Sequence, residues 1–276
     1  MDRSMISRDS LKYNFLKRII VRLDFQGVLD IEMDSVLADV KNLLKEAGFN
    51  KYHEKMSHEI DIEIREDDNT IDQLPIRERI SYKVYSFIDD NRGIVLDISR
   101  SFVCVNIAST KYIPFDEYIN YIVDIGNIYK EKINFLRMNR FGIRKINQCI
   151  VKDINRINDL FQDSYYSCKK TFSDENIDEI TRRQLSSKDK YRMIVTSNIQ
   201  RGSLKDQPTY SIILDSDIFA EDEIINDLMN NPNEFSAMND ILFQMYLSVL
   251  TDSFIAQLQN EDSIFDDGII GVMENE

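Results

Sequence analysis

Twice along this chain a pair of β-branched runs leads straight into long helix that starts with acidic residues, once over 94–134 and again over 191–260. In the first instance GIVLDISR and SFVCVNIA precede Pro114, and Phe115, Tyr118, Ile119, Ile122, Ile125, Tyr129 and Ile133 then recur at helical spacing behind Asp116 and Glu117. Proline suits the first turn of a helix, and carboxylates suit the positive end of its dipole. In the second, YRMIVTSNIQ (191–200) and TYSIILDSDIF (209–219) precede a short helix near 221–230, a break at Pro232 and a long helix from about 234 to 260. Phe235, Met238, Leu242, Met245, Val249 and Leu250 line one side of that last helix. Successive strands followed by helices predict an α+β protein with mainly antiparallel sheets and long packed helices, not a doubly wound parallel sheet. The recurrence is compatible with a duplicated α+β unit, although no residue-level repeat aligns.

The remaining segments fill in the same architecture. LKYNFLKRIIVRLDFQGV (11–28) reads as a strand, and Met33, Val36, Leu37, Val40, Leu43, Leu44 and Ala47 mark an amphipathic helix that Gly48 closes. HEIDIEI (58–64) alternates, with Ile60, Ile62 and Ile64 on one face and Glu59, Asp61 and Glu63 on the other, wet face. ISYKVYSFID and GIVLDISR flank a hairpin turn at Asp90-Asn91-Arg92, and a strand follows over about 135–151. Residues 153–187 are polar and mixed, which makes them the candidate boundary between an N-terminal lobe (1–152) and a C-terminal lobe (153–276).

Charge divides the chain more sharply than composition does. None of the 34 Lys and Arg residues lies beyond Lys205, whereas 206–276 holds 16 of the 48 acids. The net charge of −14 is therefore a property of the last quarter. A field of that sign repels nucleic acid and acidic membrane and favours a basic protein partner. No stretch approaches the roughly 20 apolar residues that span a bilayer. The N-terminus shows no signal-peptide core, and the scattered Cys104, Cys149 and Cys168 read as reduced thiols of a cytoplasmic protein.

The search for chemistry yields little. No glycine-rich phosphate loop is present, so no nucleotide cofactor is implied, nor any other. His53 and His58, five residues apart, fit a surface position better than a zinc or nucleophile site. Asp215 and Asp217 share one face of an apolar strand, a spacing that could hold a divalent metal against phosphate in a phosphotransfer or nuclease enzyme. With Glu221, Asp222, Glu223 and Asp227 they also form the acidic surface that a basic partner would meet. Arg137, Arg140, Arg144 and Lys145, with Phe135 and Phe141 among them, form the main basic cluster. They are the candidate nucleic-acid contacts, or they neutralise the acidic C-terminal helices within the molecule.

FGIRKIN (141–147), an aromatic-Gly-aliphatic-Arg-x-Ile-Asn signature, and LDSDIF (214–219), followed by a long helix through Phe243 and Phe254, carry a resemblance. Together with the opening strand and helix, they resemble the signatures of a sporadically distributed, uncharacterised prokaryotic family, over nearly the whole chain. Lys145 stands where that family more often has an aromatic. The resemblance implies an accessory protein of the kind found in defence or toxin–antitoxin modules, and carries over no catalytic residue. The expectation from the sequence is a non-enzymatic binding protein of a bacterial or phage conflict system, an inhibitor, antitoxin or defence accessory. It would engage a basic partner through its acidic end. A metal-dependent enzyme at Asp215 and Asp217, and a nucleic-acid binder at the arginine cluster, are the alternatives.

Overall fold

The structure, a computed structural model, describes residues 3–62, 76–108, 113–167, 178–205, 207–260 and 273–274. Its frame is a nine-stranded sheet in which every adjacent pair is antiparallel. In chain order the elements are β1 (Tyr13–Asn14), β2 (Leu16–Gln26), α1 (Met33–Glu46), β3 (Lys51–Ile62), β4 (Ile76–Asp89), β5 (Ile94–Ile98), β6 (Phe102–Ala108) and α2 (Phe115–Lys132). There follow β7 (Arg137–Val151), a short α3 (Ile157–Leu160), β8 (Glu179–Lys188), β9 (Tyr191–Leu204) and β10 (Gln207–Glu221). The chain continues through α4 (Glu223–Asn230), α5 (Pro232–Val249), α6 (Asp252–Gln259) and β11 (Met273–Glu274), which pairs with β1.

Strand order across the sheet is β3-β4-β5-β6-β2-β7-β10-β9-β8. Reading outward from the β2/β7 pair gives the same plan on both sides. On one side β2 is followed by β6, β5 and β4, and on the other β7 is followed by β10, β9 and β8. Each half is thus a strand, then helical chain, then a meander that returns to the first strand, then one or more helices. The duplicated α+β unit expected from the order of elements is present at the level of topology. Because β7 pairs with both β2 and β10, one sheet runs unbroken across residue 152.

All strand residues in the two buried apolar clusters lie on one face of this sheet. The first cluster joins Val21, Leu23, Val105, Phe141, Ile143 and Ile218 to α1, α2, α4 and the start of α5. The second joins Cys149, Val195, Ile212 and Leu214 to the end of α5 and to α6. The helix stripes read from the sequence supply this layer: Met33, Val36, Leu37, Val40 and Leu44 from α1, and Tyr118, Ile119, Ile122, Ile125 and Tyr129 from α2, are buried. Gly48 closes α1 at φ 93°, the left-handed conformation that glycine adopts without a Cβ penalty.

Two expectations need correction. The helix expected over 234–260 is two helices, because Leu250 is extended and Thr251 starts α6 by accepting the Phe254 N–H at 3.1 Å. The break expected at Pro232 is present, with α4 ending at Asn230 and Pro232 in the first turn of α5, capped by Asn231. The polar stretch 153–187 contains α3 and most of β8, whose residues are nearly all exposed because it is an edge strand without an apolar face. β3 starts at Lys51, earlier than its alternating segment, and the side chains of His58, Glu59, Asp61 and Glu63 lie outside the described residues. Most of the acidic tail after 260 and Cys168 also lie outside them. Cys104 and Cys149 are free thiols, and no described helix is long and apolar enough to cross a membrane.

Candidate functional site: an arginine–carboxylate lattice on the open sheet face

The two signature segments are neighbouring strands. FGIRKIN lies on β7 and LDSDIF on β10, and the register pairs Asp217 with Arg144, Ile218 with Ile143 and Phe219 with Gly142. Strand periodicity then sorts the side chains into two sets. Phe141, Ile143, Leu214 and Ile218 enter the core, where Phe141 packs 4.9 Å from Phe235. Arg140, Gly142, Arg144, Asp215, Asp217 and Phe219 take the opposite face, which the helices leave uncovered.

On that face the charges meet diagonally. Arg144 grips Asp215 with two nitrogens, Nε at 2.7 Å from Oδ1 and Nη2 on Oδ2. Arg140 donates to Asp217 Oδ2 at 2.6 Å and approaches Asp24 of β2 at 3.6 Å. To reach Asp217 it crosses Gly142, where a Cβ would lie 3.0 Å from its Nη1. The Arg140 guanidinium also lies 4.7 Å above the Phe219 ring, and Arg192 of β9 lies 5.5 Å from the same ring while binding Glu221 at 2.9 Å. On the other side Arg22 binds Asp24 at 2.6 Å and stacks 4.2 Å from Phe102. The pattern ends with Lys55, which donates to Asp97 at 2.9 Å, and Ser86, which also donates to Asp97. Cations, carboxylates and two aromatic rings therefore form a band from β9 to β3.

The lattice is partly withdrawn from water. The Asp217 side chain is 18% exposed and that of Arg140 29%, so their coupling is screened less than that of a surface pair, about 1–2 kcal/mol, and the desolvation of Asp217 offsets it. Burial pushes the Asp217 carboxyl up, against the opposing pull of Arg140 and Arg144, and Asp215 adds to the rise. The hydrogen bonds to Asp215 raise Arg144, although burial opposes them. Desolvation lifts the Cys104 thiol, on the same face, to about 11.

Most of the described carboxylates of the acidic segment are paired in the same way. Asp215, Asp217, Glu221, Asp222, Glu234, Asp240 and Asp252 are in ion pairs with Arg144, Arg140, Arg192, Arg137, Lys190, Arg8 and Arg3. Every one of those bases precedes residue 206. The acidic partner surface named from the sequence is thus largely neutralised from within. Asp227 is the exposed exception, and the Glu223 side chain lies outside the described residues. The internal pairing foreseen for the arginines occurs, but chiefly with carboxylates of β10, not those of the C-terminal helices.

The basic cluster is divided between the two faces of the sheet. Arg140, Arg144 and Arg137 face carboxylates, and Lys145 points to the helical side, where its Nζ donates to Asn239 Oδ1 at 2.6 Å. Phe141 is fully buried, whereas Phe135 is 84% exposed and precedes the strand. Asp215 and Asp217 do share a face, yet each is held by its own guanidinium, and no three His, Cys, Asp or Glu side chains converge as a metal site among the described residues. His53 is exposed, as its sequence context suggested. Sequence reading missed Arg22, Asp24, Gly142, Arg192 and Phe219 as parts of the band. The signal was there in the alternation of Arg18, Ile20, Arg22 and Asp24 along β2, which puts charge on the face opposite Val21 and Leu23.

No family model matches the chain, and no curated protein matches it. Among solved structures, S. pombe Pct1 RNA triphosphatase in complex with the Spt5 CTD aligns over 90% of this chain and 87% of its own, at 8% identity and a TM-score of 0.13. S. pombe Pct1 RNA triphosphatase alone aligns over 91% and 87%, at 10% identity and a TM-score of 0.11. Likenesses at this level carry no argument about fold or function.

Proposed function

We propose that the chain is a non-enzymatic binding protein that recognises a protein partner of mixed charge through the uncovered face of its sheet. The observation that carries this reading is the band of arginines, carboxylates and aromatic rings held in place by mutual ion pairs across β9, β10, β7, β2 and β6. Half-buried Ile20, Ile146, Ile194 and Ile213 lie beside it. Arginine and aromatic side chains next to aliphatic ones are the composition of interface centres. Side chains already fixed by their neighbours lose little further freedom on binding.

A purely basic partner fits this face less well than the net charge of the sequence suggests. It would have to displace Arg140 and Arg144 from Asp217 and Asp215 before it met a free carboxylate. Nucleic acid fits less well still, because phosphate would compete with those same carboxylates for the guanidiniums. The biological setting, an accessory component of a bacterial or phage conflict system, rests on the resemblance of FGIRKIN and LDSDIF to the sporadic prokaryotic family. The test is affinity purification of the tagged protein from its native host, beside an Arg140→Ala, Arg144→Ala variant of equal folded content. A protein captured by the wild type and lost from the variant supports the reading. Equal capture by both, or co-purifying RNA or DNA in place of protein, contradicts it.

A further inference from the structure

A second concave site lies on the helical side of the sheet, away from the charged band. The C-terminal half of α1, the Phe49–Asn50 connection, the start of β3 and the end of β4 border an open cleft of about 360 Å³. That volume lies in the range of small-ligand sites. Its lining is Lys41, Lys45, Lys51, Phe49, Tyr52 and Phe87 with Asn50. Phe49 and Phe87 are 9% and 5% exposed, and the Tyr52 ring stands 5.1 Å from that of Phe87. The result is one exposed tyrosine ring, backed by two buried phenylalanines and rimmed by ammonium groups.

The lysines are placed at a cost. Lys41 and Lys45 stand four residues apart on α1, where like charges repel. Lys41 lies 4.5 Å from the Tyr52 ring, and neither lysine has a carboxylate partner among the described residues. The nearby acids are already engaged: Glu54 accepts from the Tyr52 hydroxyl at 2.8 Å, and Asp90 pairs with Lys51. The negative end of the α1 dipole offsets part of the repulsion at Lys45, but it gives the rings and the cavity no role.

We propose that this cleft binds a small anion carrying an aromatic ring, of the class and size of a nucleoside 5′-monophosphate. The ring would take the place over Tyr52 that the Lys41 ammonium now holds, and the phosphate would sit between the ammonium groups of Lys41 and Lys45. This site is independent of the sheet face proposed above.

The experiment is calorimetric titration of the full chain with AMP, adenosine and inorganic phosphate at low salt. It is repeated on Lys41→Glu, Lys45→Glu and on Lys152→Glu, whose lysine lies outside the cleft. AMP is expected to bind at least tenfold more tightly than adenosine or phosphate, to lose at least tenfold in the double variant, and to be unaffected by Lys152→Glu. The chain has no tryptophan, so Tyr52→Trp gives a single reporter whose fluorescence AMP should quench, a readout that needs no charge-reversed variant. Absence of AMP binding at millimolar concentration, phosphate binding as tightly as AMP, or undiminished affinity in the double variant each overturns the proposal.

Discussion

The guanidinium of Arg140 lies across Gly142 to reach Asp217, and the missing side chain at 142 is what leaves the path open. A Cβ there would meet Arg140 Nη1, Nη2 and Cζ at 3.0–3.2 Å, so the arginine would have to move. Gly142→Ala should therefore weaken the pair while changing global stability by only about 1 kcal/mol, since alanine is acceptable in a strand. A double-mutant cycle between Arg140 and Asp217 should give a coupling of about 1–2 kcal/mol in the native background and a smaller one in Gly142→Ala. Equal coupling in both backgrounds would show that the glycine has no such role.

Arg92 joins three elements at the far end of the sheet. It binds Asp89 and Glu117, donates to Tyr121 at 2.9 Å and caps α1 by donating to the Ala47 carbonyl at 2.6 Å. Asp89 is 2% exposed, and removing the guanidinium leaves a buried carboxylate with no counter-charge, held only by the backbone N–H groups of residues 91 and 92. Arg92→Ala should cost about 3–5 kcal/mol in urea unfolding, and Arg92→Lys should recover little because one ammonium cannot serve four acceptors.

The same contact sets an acid limit. Burial pushes the Asp89 carboxyl up, but hydrogen bonds from the Arg92 side chain and backbone and from the Asn91 N–H outweigh it, and the net shift is downward. A carboxyl lowered in the fold contributes stability that is complete above its unfolded value near 4 and is lost as pH falls through the folded value. Stability of the native chain should fall more steeply below pH 4 than that of Arg92→Ala. Parallel slopes in urea melts at several pH values would contradict the assignment.

Lys145 points the opposite way from the arginines beside it, and desolvation together with the positive Arg8 pushes it down to about 7, against the pull of Asp240. An unfolded lysine keeps its proton up to about pH 10.4, so between 7 and 10 the unfolded chain binds more protons and stability rises with pH, at most about 1.4 kcal/mol per unit. Lys145→Met should lose that rise, while leaving the buried Asn239 Oδ1 without its donor. A native chain whose stability is flat from pH 7 to 10 would exclude the half-buried, weakly basic amine.

Local pattern carried much of the fold. The stripes of α1 and α2, the hairpin at Asp90–Arg92 and the strands around FGIRKIN and LDSDIF follow from periods of 3.6 and 2, which depend only on neighbours in sequence. The order of strands does not, so the pairing of β7 with both β2 and β10, and with it the meeting of Arg140 with Asp24 and Asp217, could not be read from either segment alone. Charge misled for the same reason. A segment with no base looks like a free acidic surface until the fold brings Arg3, Arg8, Arg137, Arg140, Arg144, Lys190 and Arg192 against it. Edge strand β8 stayed hidden because a strand exposed on both faces has no apolar alternation to find.

The internal neutralisation of the acidic segment is the claim on which the binding surface depends, and carbodiimide labelling of carboxylates with peptide-level quantification tests it on the protein alone. Asp215 and Asp217 should label at least tenfold more slowly than the exposed Asp227, and Arg140→Ala with Arg144→Ala should bring their rates up towards it. Equal labelling of Asp215, Asp217 and Asp227 in the native chain would mean that the acidic face is free, and the lattice account would be wrong.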